Sequence, residues 1–154
     1  MPEARSQMEL DTAVKLKIYE TAAGLARLPT APEIAEALGV PLAEVEASFS
    51  RLYAKRLLVP EPGDDSRIRM APPFSGVPTP FLVIINEKQY YANCVWDAFG
   101  IPAALRKDAE IQARDGFTGE SLTLHVRQGK PLAEPCVIHF AVPAALWWKD
   151  IIYT

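Results

Sequence analysis

The chain is short of the residues that usually announce chemistry. Its 154 residues hold two cysteines, two histidines and eight glycines. Two cysteines in a chain of this length exclude a disulfide framework and fit a reducing cytoplasm. His125 and His139 lie on separate β-prone stretches, with no cysteine or glutamate at ligand spacing, so both read as pleat-facing polar residues. The loop GFTGES lacks the glycine spacing of a phosphate-binding loop, and Ser121 has no nucleophile-elbow signature. No apolar run approaches the roughly 20 residues that cross a bilayer. No basic-then-apolar start suggests a secretory leader, so no membrane partner is expected. Excess positive charge is also missing. A net charge of −3 argues against bulk nucleic acid as a partner.

What is present is enough apolar content, 49%, to bury a core in one full-sized domain or two small ones. Fourteen prolines punctuate the chain, and Pro60, Pro62, Pro72, Pro73, Pro78 and Pro80 crowd one stretch. That stretch cannot be regular helix. It reads as the junction of two differently built units, residues 1–72 and 73–154.

In the first unit, Leu10, Val14, Ile18, Ala22 and Leu25 recur near helical spacing. Thr30 with Glu33 forms a capping-box pattern, Gly39 closes a short helix, and Pro41 opens a longer one to about Arg56. That helix carries Val45, Phe49, Leu52 and Tyr53 inward. LLVPEPGDDSRIRMA then reads as two strands around a Gly-Asp turn. The order is that of a winged helix-turn-helix. Glu44 and Glu46 stand where a DNA reader needs basic or amide side chains, so a docking role fits better than DNA binding.

The second unit reads as strands at 81–85, 89–91, 109–114, 121–126 and 136–142. A helix lies between the second and third, with Asn93 as its cap and its end near Gly100-Ile101-Pro102. A short helical turn and the start of another strand follow in PAALWWKDIIYT. The expectation is a mixed sheet with one helix packed on it, an α+β fold.

One motif carries chemistry. ANCVWDAFG places Cys94 three residues before Asp97, on neighbouring faces of a first helical turn. Unpaired backbone N–H groups there favour a thiolate, which is a soft metal ligand. An aspartate walled by Tyr90, Tyr91, Trp96 and Phe99 would be desolvated enough to hold a proton near neutral pH. The plain alternative is a small buried thiol beside a helix-capping acid.

PFSGVPTPFLVIINEKQYYANCVWDAFGIPAAL, residues 73–105, resembles the alkylmercury lyases, the organomercurial-cleaving proteins of bacterial mercury resistance. The shared pattern is a strand, a turn, the aromatic pair Tyr90-Tyr91, Cys94-x-x-Asp97 opening a helix, and IPAAL. DGFTGESLTLHV is similar to the family's Thr-Gly turn and following strand, and the winged helix is also the family's. The resemblance implies that Cys94 is the first thiolate on mercury and that Asp97 carries a thiol proton to the carbon as the C–Hg bond breaks. It implies an organomercurial or mercuric ion as substrate or product, small thiols as partners, and no cofactor.

The family's second catalytic cysteine would come immediately after Thr154. Cys136 opens the preceding strand and reads as a core thiol. The β-prone ending DIIYT suggests further sequence. Three accounts are open: a truncated chain, a reading frame stopped at a codon such as selenocysteine's, or a shortened relative without lyase chemistry. A shortened chain would expose a strand edge, making a second copy a partner. The rival from another class is a non-catalytic winged-helix regulator with Cys94 as a soft-metal or thiol sensor.

Overall fold

Ser6 and Thr30 each start a helix by the same exchange. The Ser6 hydroxyl accepts from the Glu9 amide while the Glu9 carboxylate accepts from the Ser6 amide, and Thr30 and Glu33 do likewise. These capping boxes open α1 (Gln7–Leu25) and α2 (Ala31–Leu38) in the computed structural model, which describes residues 6–132 and 135–153. Gly39, at φ +63°, ends α2 in the left-handed region, and α3 (Leu42–Ala54) follows Pro41. Leu10, Val14 and Ile18 of α1 meet Ile34 of α2 and Val45, Phe49 and Leu52 of α3 in one core, against which Tyr53 packs partly buried.

One carboxylate sits in that helical interface. Asp11 is buried, and it accepts from Arg51 Nη2 at 2.7 Å, Ser48 Oγ at 2.7 Å and Lys55 Nζ at 3.3 Å. Arg51 and Lys55 therefore balance a specific charge on α1, and Arg56 lies over the Trp148 ring at 5.4 Å.

β1 (Val59–Glu61), β2 (Asp64–Ala71) and β3 (Phe74–Ser75) form a small antiparallel sheet. β4 (Leu82–Ile85) and β5 (Lys88–Tyr91) make a hairpin whose turn residues Asn86 and Glu87 both have positive φ, the geometry that matches strand twist. After α4 (Val95–Leu105) come β6 (Ala109–Arg114), β7 (Ser121–Arg127) and the two-residue β8 (Lys130–Pro131). The order is β5-β4-β6-β7-β8. Ile101 and Ala98 of α4 pack on Val83, Ile111, Leu124 and Val126 as a second core. α1 is tied to this unit by Tyr90 Oη donating to the Ala23 carbonyl (2.9 Å) and Lys88 Nζ to that of Gly24 (2.7 Å).

The architecture is α+β, with three corrections to the sequence reading. Every pairing in the five-stranded sheet is antiparallel, not mixed. The α4 crossover does make β5 and β6 run the same way, but β4 lies between them. α4 continues through Pro102 to Leu105, because Ile101 and Pro102 are buried against the sheet and that contact offsets the lost backbone bond. Residues 136–142 form no strand, and 151–153 are a turn. Beside β7 the edge is taken by β8, which ends on a proline unable to donate to a ladder. No helix among the described residues is long and apolar enough to cross a membrane.

Candidate active site

α4 begins on Cys94, not Asn93. Cys94 occupies the N-cap with extended backbone (φ −152°, ψ −179°), which starts the helix at Val95 and puts Asp97 in its first turn. Asn93 is thereby released for another task. Its Nδ2 donates to the Phe74 carbonyl at 3.3 Å and to Asp97 Oδ2 at 2.9 Å. Phe74 is itself paired to Ala92 by an isolated bridge, and the Tyr19 ring of α1 packs against its ring at a tilt of 57°. Both neighbours of Nδ2 are acceptors, so the amide orientation follows from the bonding pattern. Among the described residues, the buried Asn93 Oδ1 has no hydrogen-bond partner.

The same bond discriminates between the two Asp97 oxygens. Oδ2 already accepts from Asn93, so a proton on the acid belongs on Oδ1. Burial pushes the Asp97 carboxyl above its usual range, and the Asn93 bond only partly opposes this. Burial likewise pushes the Cys94 thiol up. The N–H groups of Asp97 and Trp96 favour its thiolate, but neither closes a full capping bond on sulfur, and the Asp97 charge works against it. The helix-start N–H groups thus act in the direction the sequence reading expects, without deciding the balance. The net shift of the Cys94 thiol is upward, because loss of hydration outweighs the amides.

Cys94 and Asp97 open into one cavity of about 560 Å³. Phe81, Trp96, Phe140, Trp147 and Trp148 give it aromatic walls, while Val59, Met70 and Pro72 reach it from the first sheet and its end. Trp147 is fixed by its indole N–H on the Val142 carbonyl (2.8 Å) and by the Phe140 ring at 5.2 Å. Tyr19 is close enough that the Asp97 charge, after burial, raises its phenol. An apolar chamber thus encloses a soft nucleophile and a carboxyl held toward its acid form.

Residues 74–154 match the family described as MerB, alkylmercury lyase. The chain belongs to the alkylmercury lyase family. A solved structure described as the mercury-bound form of MerB2 superposes with a TM-score of 0.60 at 22% identity. The likeness covers 82% of this chain and 66% of that one, and at such identity it speaks for the fold. No curated protein matches.

In this alkylmercury lyase family member the other candidates separate. Tyr90 and Tyr91 do not line the Cys94 cavity. They face a small hollow with Ala22 and Phe74, because the β5 ladder turns Tyr90 into the core beneath α1. Phe99 lines a neighbouring cavity, and Trp96 lines both. Cys136 is exposed, not a core thiol, since the strand expected to bury it does not form. It and His125 border the neighbouring cavity, whereas His139 borders that of Cys94. Thr154, after which the second family cysteine was expected, lies outside the described residues. The sequence reading missed Asn93 as a partner of Asp97, although the i, i+4 spacing was an available signal. It also missed Phe140, and it read His139 as a pleat-facing residue of a strand that does not form.

Proposed function

We propose that this protein acts on organomercurials by protonolysis of the carbon–mercury bond, with Cys94 capturing mercury and Asp97 delivering the proton. The observation that carries the reading is that Cys94 and Asp97 share one aromatic cavity in a member of this family. Mercury is very soft and seeks thiolate over oxygen ligands. The Cys94 sulfur bonds to mercury in R–Hg–X, X⁻ leaves, and the thiol proton passes to the Asp97 carboxylate, whose burial favours taking it up. A small thiolate adds to mercury as a second sulfur ligand. The C–Hg bond then breaks with its electron pair on carbon, and that carbon takes the proton from Asp97 Oδ1 to give R–H. Mercury stays on two sulfurs, and no cofactor takes part.

We read residues 1–72 as a winged helix-turn-helix and 73–154 as the lyase-like unit, supported by the two core clusters and by the β1–β2 hairpin after α3. On this reading the helical unit is structural, since it supplies Val59, Met70 and Pro72 to the cavity wall.

Benzene release from phenylmercury in excess small thiol tests the assignment. In a Cys136→Ser background, protein with Cys94 intact releases benzene, and Cys94→Ser neither retains mercury nor releases benzene. Asp97→Asn binds mercury but turns over about 10²- to 10⁴-fold more slowly, the usual worth of a positioned acid. Equal release by wild type and Asp97→Asn would sink the role given to Asp97.

A further inference from the structure

Beside the Cys94 cavity, along the same helix, lies a second one of about 630 Å³. Phe99, Gly100 and Ala103 of α4 form one wall, faced by Leu124, Leu132 and Ile138. The three helix positions follow Trp96 by three, four and seven residues, so they continue one stripe of α4 that Trp96 begins. Among the described residues, Trp96 alone borders both cavities. The chain passing between them divides in the same place: Ile138 faces the second cavity, His139 and Phe140 the first.

Among the described residues, Trp96 is therefore the one side chain shared by both walls, beside the chain at residues 138–140. The Trp96 indole is 64% exposed. Trp147 is anchored by its N–H and a ring neighbour, but no comparable contact holds Trp96 among the described residues. Changing its rotamer gives up little buried surface, and it stands two residues from the Cys94 sulfur-bearing position. Each cavity is of the size that holds small molecules, and the second has mainly apolar walls suited to an apolar group.

We propose that Trp96 sets the size limit of the Cys94 site, and that the second cavity is a subsite for the bulky apolar substituent of a thiol-reactive ligand captured on Cys94. With the indole turned aside, the two spaces join, and a fused-ring substituent extends from sulfur along the α4 stripe. The inference rests on the reading of Cys94 as the capturing thiol but not on C–Hg cleavage.

The test uses Cys136→Ser protein, in which Cys94 is the single thiol, and two maleimides, N-ethyl and N-(1-pyrenyl). Trp96→Ala raises the ratio of pyrenyl to ethyl rate about tenfold, the order expected for relieving a steric limit, the ratio cancelling any change in the thiol itself. Trp96→Phe, which keeps a ring at the partition, falls between. Adding Ala103→Phe, which fills the far cavity from an exposed helix position, cancels the pyrenyl gain. The proposal is overturned if Trp96→Ala speeds both reagents alike, if Ala103→Phe leaves the gain intact, or if Cys94 reacts with neither reagent in any variant. If the rate pattern holds while wild type releases no benzene from phenylmercury, the subsite stands and the lyase reading alone fails.

Discussion

Asn93 Nδ2 lies 2.9 Å from Asp97 Oδ2 and 3.3 Å from the Phe74 carbonyl, so one side-chain amide joins the start of α4 to β3, the last strand of the first sheet. Removing this amide frees the Asp97 carboxyl to rotate without touching Cys94. Asn93→Ala is expected to keep mercury binding while benzene release falls about 10- to 100-fold, as for other groups that orient a reacting side chain. Asn93→Asp, which sets an acceptor against an acceptor, does no better. Mercury stoichiometry measured beside turnover separates this from a general loss of fold. Unchanged turnover in both variants would remove Asn93 from the mechanism.

Asp97 also leaves a mark on stability. Its folded pKa is raised by burial, so the native state holds the proton to higher pH than the unfolded chain does. The acid form stabilises the fold, and that contribution is lost as pH rises from the usual carboxylate value through the folded one. Asp97→Asn is neutral throughout and can still accept from Asn93. Its urea midpoint, relative to wild type, is expected to be higher at pH 8 than at pH 4. A constant difference across that range would show that burial does not penalise the charge.

Asp11 works in the opposite sense. Burial alone would raise its carboxyl, but hydrogen bonds from Arg51, Ser48 and Lys55 more than offset this and hold it below the usual value. Its stabilising contribution is therefore present above that value and lost as pH falls through the folded pKa. Asp11→Ala should cost about 2 kcal/mol at pH 7, in the range of charge-assisted hydrogen bonds, with much less effect at pH 2. Chemical denaturation at the two pH values measures it.

The same network bears on DNA. Arg51 and Lys55 are engaged with Asp11, Arg56 lies over Trp148, and Glu44 and Glu46 are exposed at the start of α3. Fluorescence anisotropy with a labelled duplex at 150 mM salt, about physiological, should show no binding. Binding with a steep salt slope would instead favour the regulatory reading.

Arg56 also tethers the 3-10 helix Ala144–Lys149, which carries two walls of the Cys94 cavity. Arg56→Ala removes a contact worth about 0.5–1 kcal/mol at an exposed site. Faster amide exchange in residues 144–149, with the rest of the chain unchanged, is the expected result. Unchanged exchange in 144–149 would mean that the Arg56–Trp148 contact does not hold the segment.

The sequence by itself determined what is local. Capping at Thr30 and Glu33, the Asn86-Glu87 turn, the apolar faces of α1 and α3, and the Cys94-x-x-Asp97 spacing all depend on residues within a few positions of one another. Hydrogen bonding and side-chain period decide such features before any distant contact forms. Tertiary structure decided the rest. Whether 136–142 became a strand depended on a free ladder edge beside β7, which its own alternation cannot reveal. Tyr90 was turned from the cavity by the strand register under α1, and Asn93 from cap to Asp97 partner by the arrival of Phe74. The upward push on Cys94 and Asp97 comes from burial, in a cavity whose aromatic walls reach from Phe81 to Trp148. Desolvation depends on the whole surrounding shell, so no local spacing encodes it.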